Sequence, residues 1–475
     1  MAVEYDIVII GGGSAGLVVA SAAAQLKAKV ALVERDRLGG DCLWYGCVPS
    51  KSLIHAARIA YEVKNAARFG VYSQNPEIDF AKAMGHVRSA IAAIEPHDSP
   101  ERFQSLGVEV IFGSGQFTDK QTFEVNGRPL KARAFVISTG SRPAIPPIPG
   151  LQEAGYISNE QVFNLKERPD ALAVIGGGPI GCELGQAFSR LGTEITIIAS
   201  SDYLLPKEDP EAAQVVQSQF ESEGIRVIAK TRVERVEIAD GKKQLWAGNQ
   251  KIAVNEILIA TGRKPNVESL NLEVAGVEVD KQGVKINAKL QTTNPRIYAC
   301  GDVIGGYQFT HVAGYEASVV LKNALFFPLS KTNYRVIPWA TFTDPELARV
   351  GLTEQQAKQE YGDRIYVLRC DFADVDRAQA EAATTGFAKI ITRSNGEILG
   401  ATLVGPSAGE LIHEVVLAMS NKLKVSALSG IIHIYPTLAE VNSKAALQLT
   451  KQKYAKNQTL QALLTKFFGL RRNLG

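Results

Sequence analysis

An α/β fold is predicted, with two copies of a strand–turn–helix–strand unit and a separate α+β region at the C-terminus. Three observations predict it. Tyr5-Asp6-Ile7-Val8-Ile9-Ile10 runs into Gly11-Gly12-Gly13-Ser14-Ala15-Gly16, and Ala171-Leu172-Ala173-Val174-Ile175 runs into Gly176-Gly177-Gly178-Pro179-Ile180-Gly181. Each turn leads into a small-residue helical stretch, Leu17 to Gln25 and Cys182 to Leu191, and then into a second β-rich run, Val30 to Val33 and Ile195 to Ile198. From about Arg335 the pattern changes to strands at Ile365 to Arg369, Gly386 to Thr392 and Ile398 to Val404, with one helix from about Gly409 to Asn421.

A repeated βαβ unit implies two Rossmann-like dinucleotide-binding domains. Ala134 to Gly140 and Ile257 to Gly262 each read as a strand ending in a turn, followed by a Pro-containing crossover, and the chain returns at Ile297 to Asp302. The expected domains are therefore residues 1–149 with 268–335, residues 150–267, and residues 336–475.

The 475 residues carry a net charge of +3, too little to recruit nucleic acid, and they show no zinc-finger spacing or RNA-binding aromatic signature. Five cysteines are too few for a disulfide scaffold. The first apolar run is too short to span a membrane and has neither a basic leader nor a cleavage site, so no signal peptide is expected. A soluble enzyme of the cytoplasm follows as the expectation, where a cysteine pair is more often catalytic than structural.

A Gly-x-Gly-x-x-Gly turn between a strand and a helix aims backbone N–H groups at a pyrophosphate. Gly11, Gly13 and Gly16 form the first copy; Gly176, Gly178 and Gly181 form the second. An acid about twenty residues on binds a ribose hydroxyl in such sites. Glu34 fills that place after the first loop, whereas the same offset after the second lands on Ala199, followed by Ser200 and Ser201. An acid there would repel a 2′-phosphate, so small polar groups favour NADPH, with NADH as the alternative.

Cys42 and Cys47 lie in Gly39-Gly40-Asp41-Cys42-Leu43-Trp44-Tyr45-Gly46-Cys47-Val48-Pro49-Ser50-Lys51. The Cys-x4-Cys spacing does not match a zinc site, and no second pair completes one. A redox dithiol near a helix start fits better, because the electropositive helix end favours the thiolate. Cys182, Cys300 and Cys370 are scattered singly and read as buried structural cysteines.

This cysteine motif, set between two dinucleotide loops, resembles the class I pyridine nucleotide–disulfide oxidoreductase family, which includes dihydrolipoamide dehydrogenase, glutathione reductase and mercuric reductase. The resemblance covers nearly the whole chain. It implies FAD on the first loop, NAD(P)H on the second and a homodimer held by the C-terminal domain. It also implies that Cys42 is the outer thiol that meets substrate, that Cys47 is the inner thiol against the flavin, and that Lys51 pairs with Glu183 beside the flavin. Asp302, in Cys300-Gly301-Asp302, matches the acid that holds the ribityl chain.

The chain departs from the disulfide-reducing members at one point. Those carry His-Pro-Thr near the C-terminus, with a glutamate beyond it; here the run is His433-Ile434-Tyr435-Pro436-Thr437-Leu438-Ala439-Glu440. A phenol with a pKa near 10 cannot cycle a proton at neutral pH as an imidazole near 6.5 does. Tyr435 at this place is similar to mercuric reductases, in which Cys42 and Cys47 would hold the substrate metal transiently and Tyr435 and Glu440 would reach the partner's Cys42. Unlike that branch, the chain has no cysteine beyond Cys370. His433, two residues away, is the alternative proton carrier. The expected function is NAD(P)H-driven reduction of Hg(II) or another thiophilic acceptor. A thiol–disulfide reductase and a flavin-bearing redox sensor with little turnover are the alternatives.

Leu460, Leu463, Leu464, Phe467 and Phe468 fall on one helical face near Lys466, Arg471 and Arg472. Amphipathic faces usually meet protein, so packing within the dimer is the first expectation and a peripheral membrane contact the second.

Overall fold

Tyr5–Ile10 lies at the centre of a seven-stranded sheet in the computed structural model, which describes residues 3–72 and 76–474. Val30–Glu34 pairs with it in parallel on one side and Arg128–Ile137 on the other. Val108–Phe112 extends the sheet in parallel beyond Val30–Glu34, and Ile297–Ala299 pairs in parallel with Arg128–Ile137. Successive residues of a strand point to opposite faces. Ile7 and Ile9 accordingly pack with Val19, Ala20 and Val320 on one face, while Val8 and Ile10 pack with Phe117, Phe123 and Phe135 on the other. Both faces are covered, which is why the strand reads as a continuous apolar run rather than an alternating one. Each fully buried Ile or Val contributes roughly 1.5–3 kcal/mol.

The second βαβ unit builds a four-stranded parallel sheet from Arg226–Ile228, Glu194–Ile198, Ala171–Ile175 and Glu256–Ile259. A three-stranded antiparallel sheet, Val233–Ala239 to Gln250–Val254, is inserted before its last strand. These elements form one contact unit, the residues up to Ser200 together with Ile225–Asn333. The two glycine helices span Ser14–Gln25 and Pro179–Arg190, each starting a turn earlier than the apolar pattern suggests. The third glycine of each loop sets this start. A Cβ on Gly16 would lie 1.9 Å from the Gly11 carbonyl oxygen, and one on Gly181 would lie 2.1 Å from that of Gly176.

The other unit comprises Ser201–Gly224 and the residues from Tyr334 onward. Its core is an antiparallel five-stranded sheet in the order Pro338–Thr341, Glu346–Gly351, Ile398–Gly405, Phe387–Arg393, Ile365–Asp371. The α+β pattern is present, with one correction. The helix expected from about Gly409 to Asn421 is two helices, Ala408–Leu411 and His413–Ser420. The fully buried Asn442 donates to the Leu411 carbonyl at 2.8 Å and so takes that oxygen as a side-chain acceptor where the helix breaks.

Ser201–Gly224 joins this unit through buried charges. Lys389, in the sheet, reaches Asp209 at 3.2 Å, Glu211 at 2.6 Å and Glu354 at 3.2 Å. Arg349 reaches Glu208 at 3.3 Å, and the Trp339 indole donates to the same carboxylate at 2.8 Å.

Candidate active site

Gly40–Trp44 forms a short helix that carries Cys42, and Gly46 then turns the chain into the helix Cys47–Asn65, so Cys47 is the first residue of a 19-residue helix. A helix N-terminus carries partial positive charge and favours a thiolate. Thr310, the first residue of the helix Thr310–Leu325, has its hydroxyl 3.4 Å from the Cys47 sulfur. Two helix starts thus converge on one sulfur.

Cys42 is half-buried and Cys47 exposed, and neither is in a disulfide. The reduced pair holds a single proton asymmetrically. A hydrogen bond from Cys42 is the main cause that brings the Cys47 thiol down to about 6, with the Thr310 hydroxyl and the Lys51 charge adding to it. The same hydrogen bond, burial and the Cys47 and Asp41 charges push Cys42 up. The helix start, the Thr310 hydroxyl and the Lys51 charge thus all favour the thiolate on Cys47, with the shared proton toward Cys42.

Lys51 lies one helical turn beyond Cys47. Its ammonium is 2.7 Å from Glu183, whose side chain is buried on the helix Pro179–Arg190. The two motif residues meet across a sequence separation of 132.

Asp302 opens a short 3-10 turn after Ile297–Ala299. Its carboxylate accepts the Ser141 hydroxyl at 2.7 Å and lies 3.5 Å from Arg263, and burial raises its pKa despite these partners. Arg263 also reaches Asp41 at 3.1 Å and donates to Ser141 Oγ at 2.7 Å. It therefore ties the residue beside Cys42 to Asp302. Asn159 donates to Asp41 and to the Tyr45 carbonyl, both at 3.2 Å. The sequence reading singled out none of Asp41, Asn159, Arg263 and Thr310. Asp41 was visible within the cysteine motif, and a lone arginine after a strand end carries no periodic or motif signal.

The first glycine loop suits a dinucleotide. Glu34 accepts the Gly12 N–H at 2.7 Å through one oxygen and the Asp36 N–H at 2.9 Å through the other. This fixes the carboxylate while each oxygen keeps a lone pair for a ribose hydroxyl. A Cβ on Gly13 would meet nothing nearer than Gly40 Cα at 3.8 Å, so the loop face is open there. The second loop is open likewise, since a Cβ on Gly178 would meet nothing within 4 Å. Gly11 and Gly176 hold φ of +105° and +125°, which the turn requires and which disfavours other residues. Ala199 is buried, Ser200 is exposed, and Ser201 Oγ donates to the Tyr203 carbonyl at 2.8 Å.

In the C-terminal unit Tyr435 is 67% exposed, and its hydroxyl donates to Asp376 at 2.9 Å. That bond, with the Asp376 charge, raises the phenol pKa. Glu440, expected to back this position, starts the helix Glu440–Lys456 and accepts the Thr437 N–H at 3.4 Å. The His433 ring is tucked against Glu414 at 3.3 Å and is not brought to the exposed Tyr435 position. Cys182, Cys300 and Cys370 are buried. Among the described residues no cluster of three or more His, Cys, Asp or Glu could hold a metal ion, and no helix is long and apolar enough to cross a membrane.

Residues 5–317 match the pyridine nucleotide-disulphide oxidoreductase family model, and residues 337–446 match the dimerisation domain of the same family. The chain is 38% identical over 456 residues to a mercuric reductase of Staphylococcus aureus, covering 94% of this chain and 83% of that protein. It is 34% identical over 456 residues to a dihydrolipoyl dehydrogenase of Chlamydia pneumoniae, covering 95% and 98% respectively. Among solved structures, the Cu(II) complex of the HOCl-induced flavoprotein disulfide reductase RclA from Escherichia coli superimposes with a TM-score of 0.84 at 29% identity, covering 94% of this chain and 99% of that one. The chain belongs to the pyridine nucleotide-disulphide oxidoreductase family and is a flavoprotein disulfide oxidoreductase with a dimerisation domain.

Proposed function

We propose that the protein passes electrons from NADPH to a thiophilic acceptor, with Hg(II) as the first candidate, through the Cys42–Cys47 pair. Gly11, Gly13, Gly16, Glu34 and Asp302 would hold FAD, in a domain made of residues 1–149 and 268–335. Gly176, Gly178, Gly181 and Ser200 would hold the nicotinamide dinucleotide, in residues 150–200 and 225–267, since Ser201–Gly224 pack with the C-terminal unit. Bound FAD, once reduced by the nicotinamide, would supply the electron pair that opens the Cys42–Cys47 disulfide; passed on to Hg(II), that pair would give Hg(0) and close the disulfide again.

The residues of the chain do the rest. Cys47, with a pKa of about 6, is the thiolate of the reduced pair, and Lys51 and the Thr310 hydroxyl hold its charge. Glu183 fixes the Lys51 ammonium at 2.7 Å. Cys42 keeps the proton until a soft cation displaces it, and both sulfurs then ligate the substrate. In the homodimer Tyr435 and Glu440 of one subunit would face the partner's Cys42. The exposed Ser200 at the end of the second domain's strand puts a small neutral group where an acid would repel a 2′-phosphate, which supports NADPH over NADH. A dithiol that must cycle suits a reducing compartment, and we place the enzyme in the cytoplasm.

The observation that carries the choice of acceptor is Tyr435. Its phenol is held protonated by Asp376, so the group at the histidine position of disulfide reductases cannot relay a proton to a leaving thiol near neutral pH. A metal held by two sulfurs needs no such proton. Parallel assays of NADPH oxidation by the FAD-loaded enzyme, one with Hg(II)–thiol complex and one with lipoamide, test this. Faster turnover of the metal is expected, and strong lipoamide turnover overturns the assignment in favour of a thiol–disulfide reductase.

A further inference from the structure

We propose that the C-terminal helix, Gln458–Leu474, docks in the plane of an anionic lipid surface. The helix starts after Asn457, whose side chain accepts the Leu460 N–H at 2.9 Å, and it lies beyond residue 446, where the match to the dimerisation domain ends. At 100° per residue, Leu460, Leu463, Leu464, Phe467, Phe468 and Leu470 fill an arc of roughly 160°. Within that arc Leu463 is 60% exposed, Phe467 51%, Phe468 51% and Leu470 63%. No soluble surface gains from presenting two phenylalanines and several leucines to water on one stripe.

Charge selects the occupant. Lys466 and Arg472 flank the two edges of the arc, about 40° outside it, where long cationic side chains extend from an apolar face toward a polar headgroup layer. Arg471 sits inside the arc with its guanidinium 6.0 Å from the Phe467 ring centroid. The helix holds no aspartate or glutamate. The whole stretch from Val441 to the last residue has seven lysines and arginines and no acid, whereas the entire chain has 52 basic against 49 acidic residues, so the remainder of the chain is net negative. A second copy of the chain fits this face poorly. A two-fold contact lays a patch on its own copy, and here that would set cation against cation. An anionic headgroup layer complements the same pattern, because each cation near it is drawn to the negative surface. Among the described residues no helix can cross a bilayer, so the contact is interfacial.

The test is co-sedimentation of the full-length, FAD-loaded enzyme with two kinds of vesicle, phosphatidylcholine alone and phosphatidylcholine mixed with phosphatidylglycerol. Binding is expected only to the second kind, and it should weaken as salt is raised. Leu463→Glu with Phe467→Glu should weaken binding about tenfold or more, and so should the milder pair Lys466→Glu with Arg472→Glu. Flavin content, NADPH oxidation and dimer mass should stay unchanged in both variants. The proposal is overturned if the native enzyme stays in the supernatant with both vesicles, or if bound enzyme ignores both pairs of substitutions. A loss of dimer mass on Phe467→Glu would also overturn it and assign the face to a second copy.

Discussion

The Lys51 ammonium stands 2.7 Å from a carboxylate oxygen of Glu183, joining the helix that begins at Cys47 to the helix that leaves the second glycine loop. Glu183 is buried and Lys51 partly exposed, so the carboxylate is the fixed member and steers the ammonium. The Lys51 charge in turn is one of the causes that lower the Cys47 pKa.

Lys51→Met should therefore raise the Cys47 pKa above about 6, toward that of an ordinary thiol. Thiolate absorbance of the reduced enzyme, followed against pH, reads this directly. A titration curve that superimposes on the wild-type curve would remove Lys51 from the thiolate's environment.

The pH dependence has a definite sign. Cys47 titrates at about 6 in the folded, reduced protein, below its unfolded value near 8.5. Its contribution to stability is present above the unfolded value and is lost as pH falls through about 6. Alkylation of the reduced enzyme by iodoacetamide should rise through the same pH and level off by neutrality. In the flavin-free reduced protein, where Cys47 is exposed, peptide mapping should find the label first on Cys47, and first labelling of Cys42 there would reverse the assignment of thiol and thiolate.

Tyr435→His should raise lipoamide turnover and lower Hg(II) turnover, because an imidazole near pKa 6.5 can cycle the proton that the phenol holds. The ratio of the two rates, with flavin content as the control for folding, is the measurement. An unchanged ratio would show that this position does not choose the acceptor.

Gly181→Ala should damage the second nucleotide site and spare the first. The added Cβ would lie 2.1 Å from the Gly176 carbonyl oxygen, a backbone atom that cannot move aside cheaply. Overpacking of this kind costs about 1–3 kcal/mol. A raised KM for NADPH with full flavin content is expected; normal NADPH kinetics would count against the loop's role.

Lys389→Met should destabilise the C-terminal unit by about 3–5 kcal/mol, because Asp209 is left as a buried charge without its ammonium. Urea unfolding followed by tryptophan fluorescence can report the change, since Trp339 lies in this unit beside Glu208.

Much of this protein could be read from the order of its residues. Local periodicity and turn chemistry predicted both glycine loops, the strand–helix alternation and the α+β character of the last part. These depend on neighbours in the chain, where sterics and alternation act directly. Cys42 and Cys47 stood out inside one compact motif, whereas the expectation that Lys51 pairs with Glu183 came only through the family that motif resembles. Tertiary structure decided the rest. Thr310 reaches Cys47 from 263 residues away, Arg263 links Asp41 to Asp302, and Asp376 rather than Glu440 takes the Tyr435 hydroxyl. Asn442 splits a helix that the apolar pattern left whole. Each of these is a hydrogen bond or ion pair between distant segments. Such pairs leave no period in a sequence, because what they require is closeness in space after the apolar cores have packed.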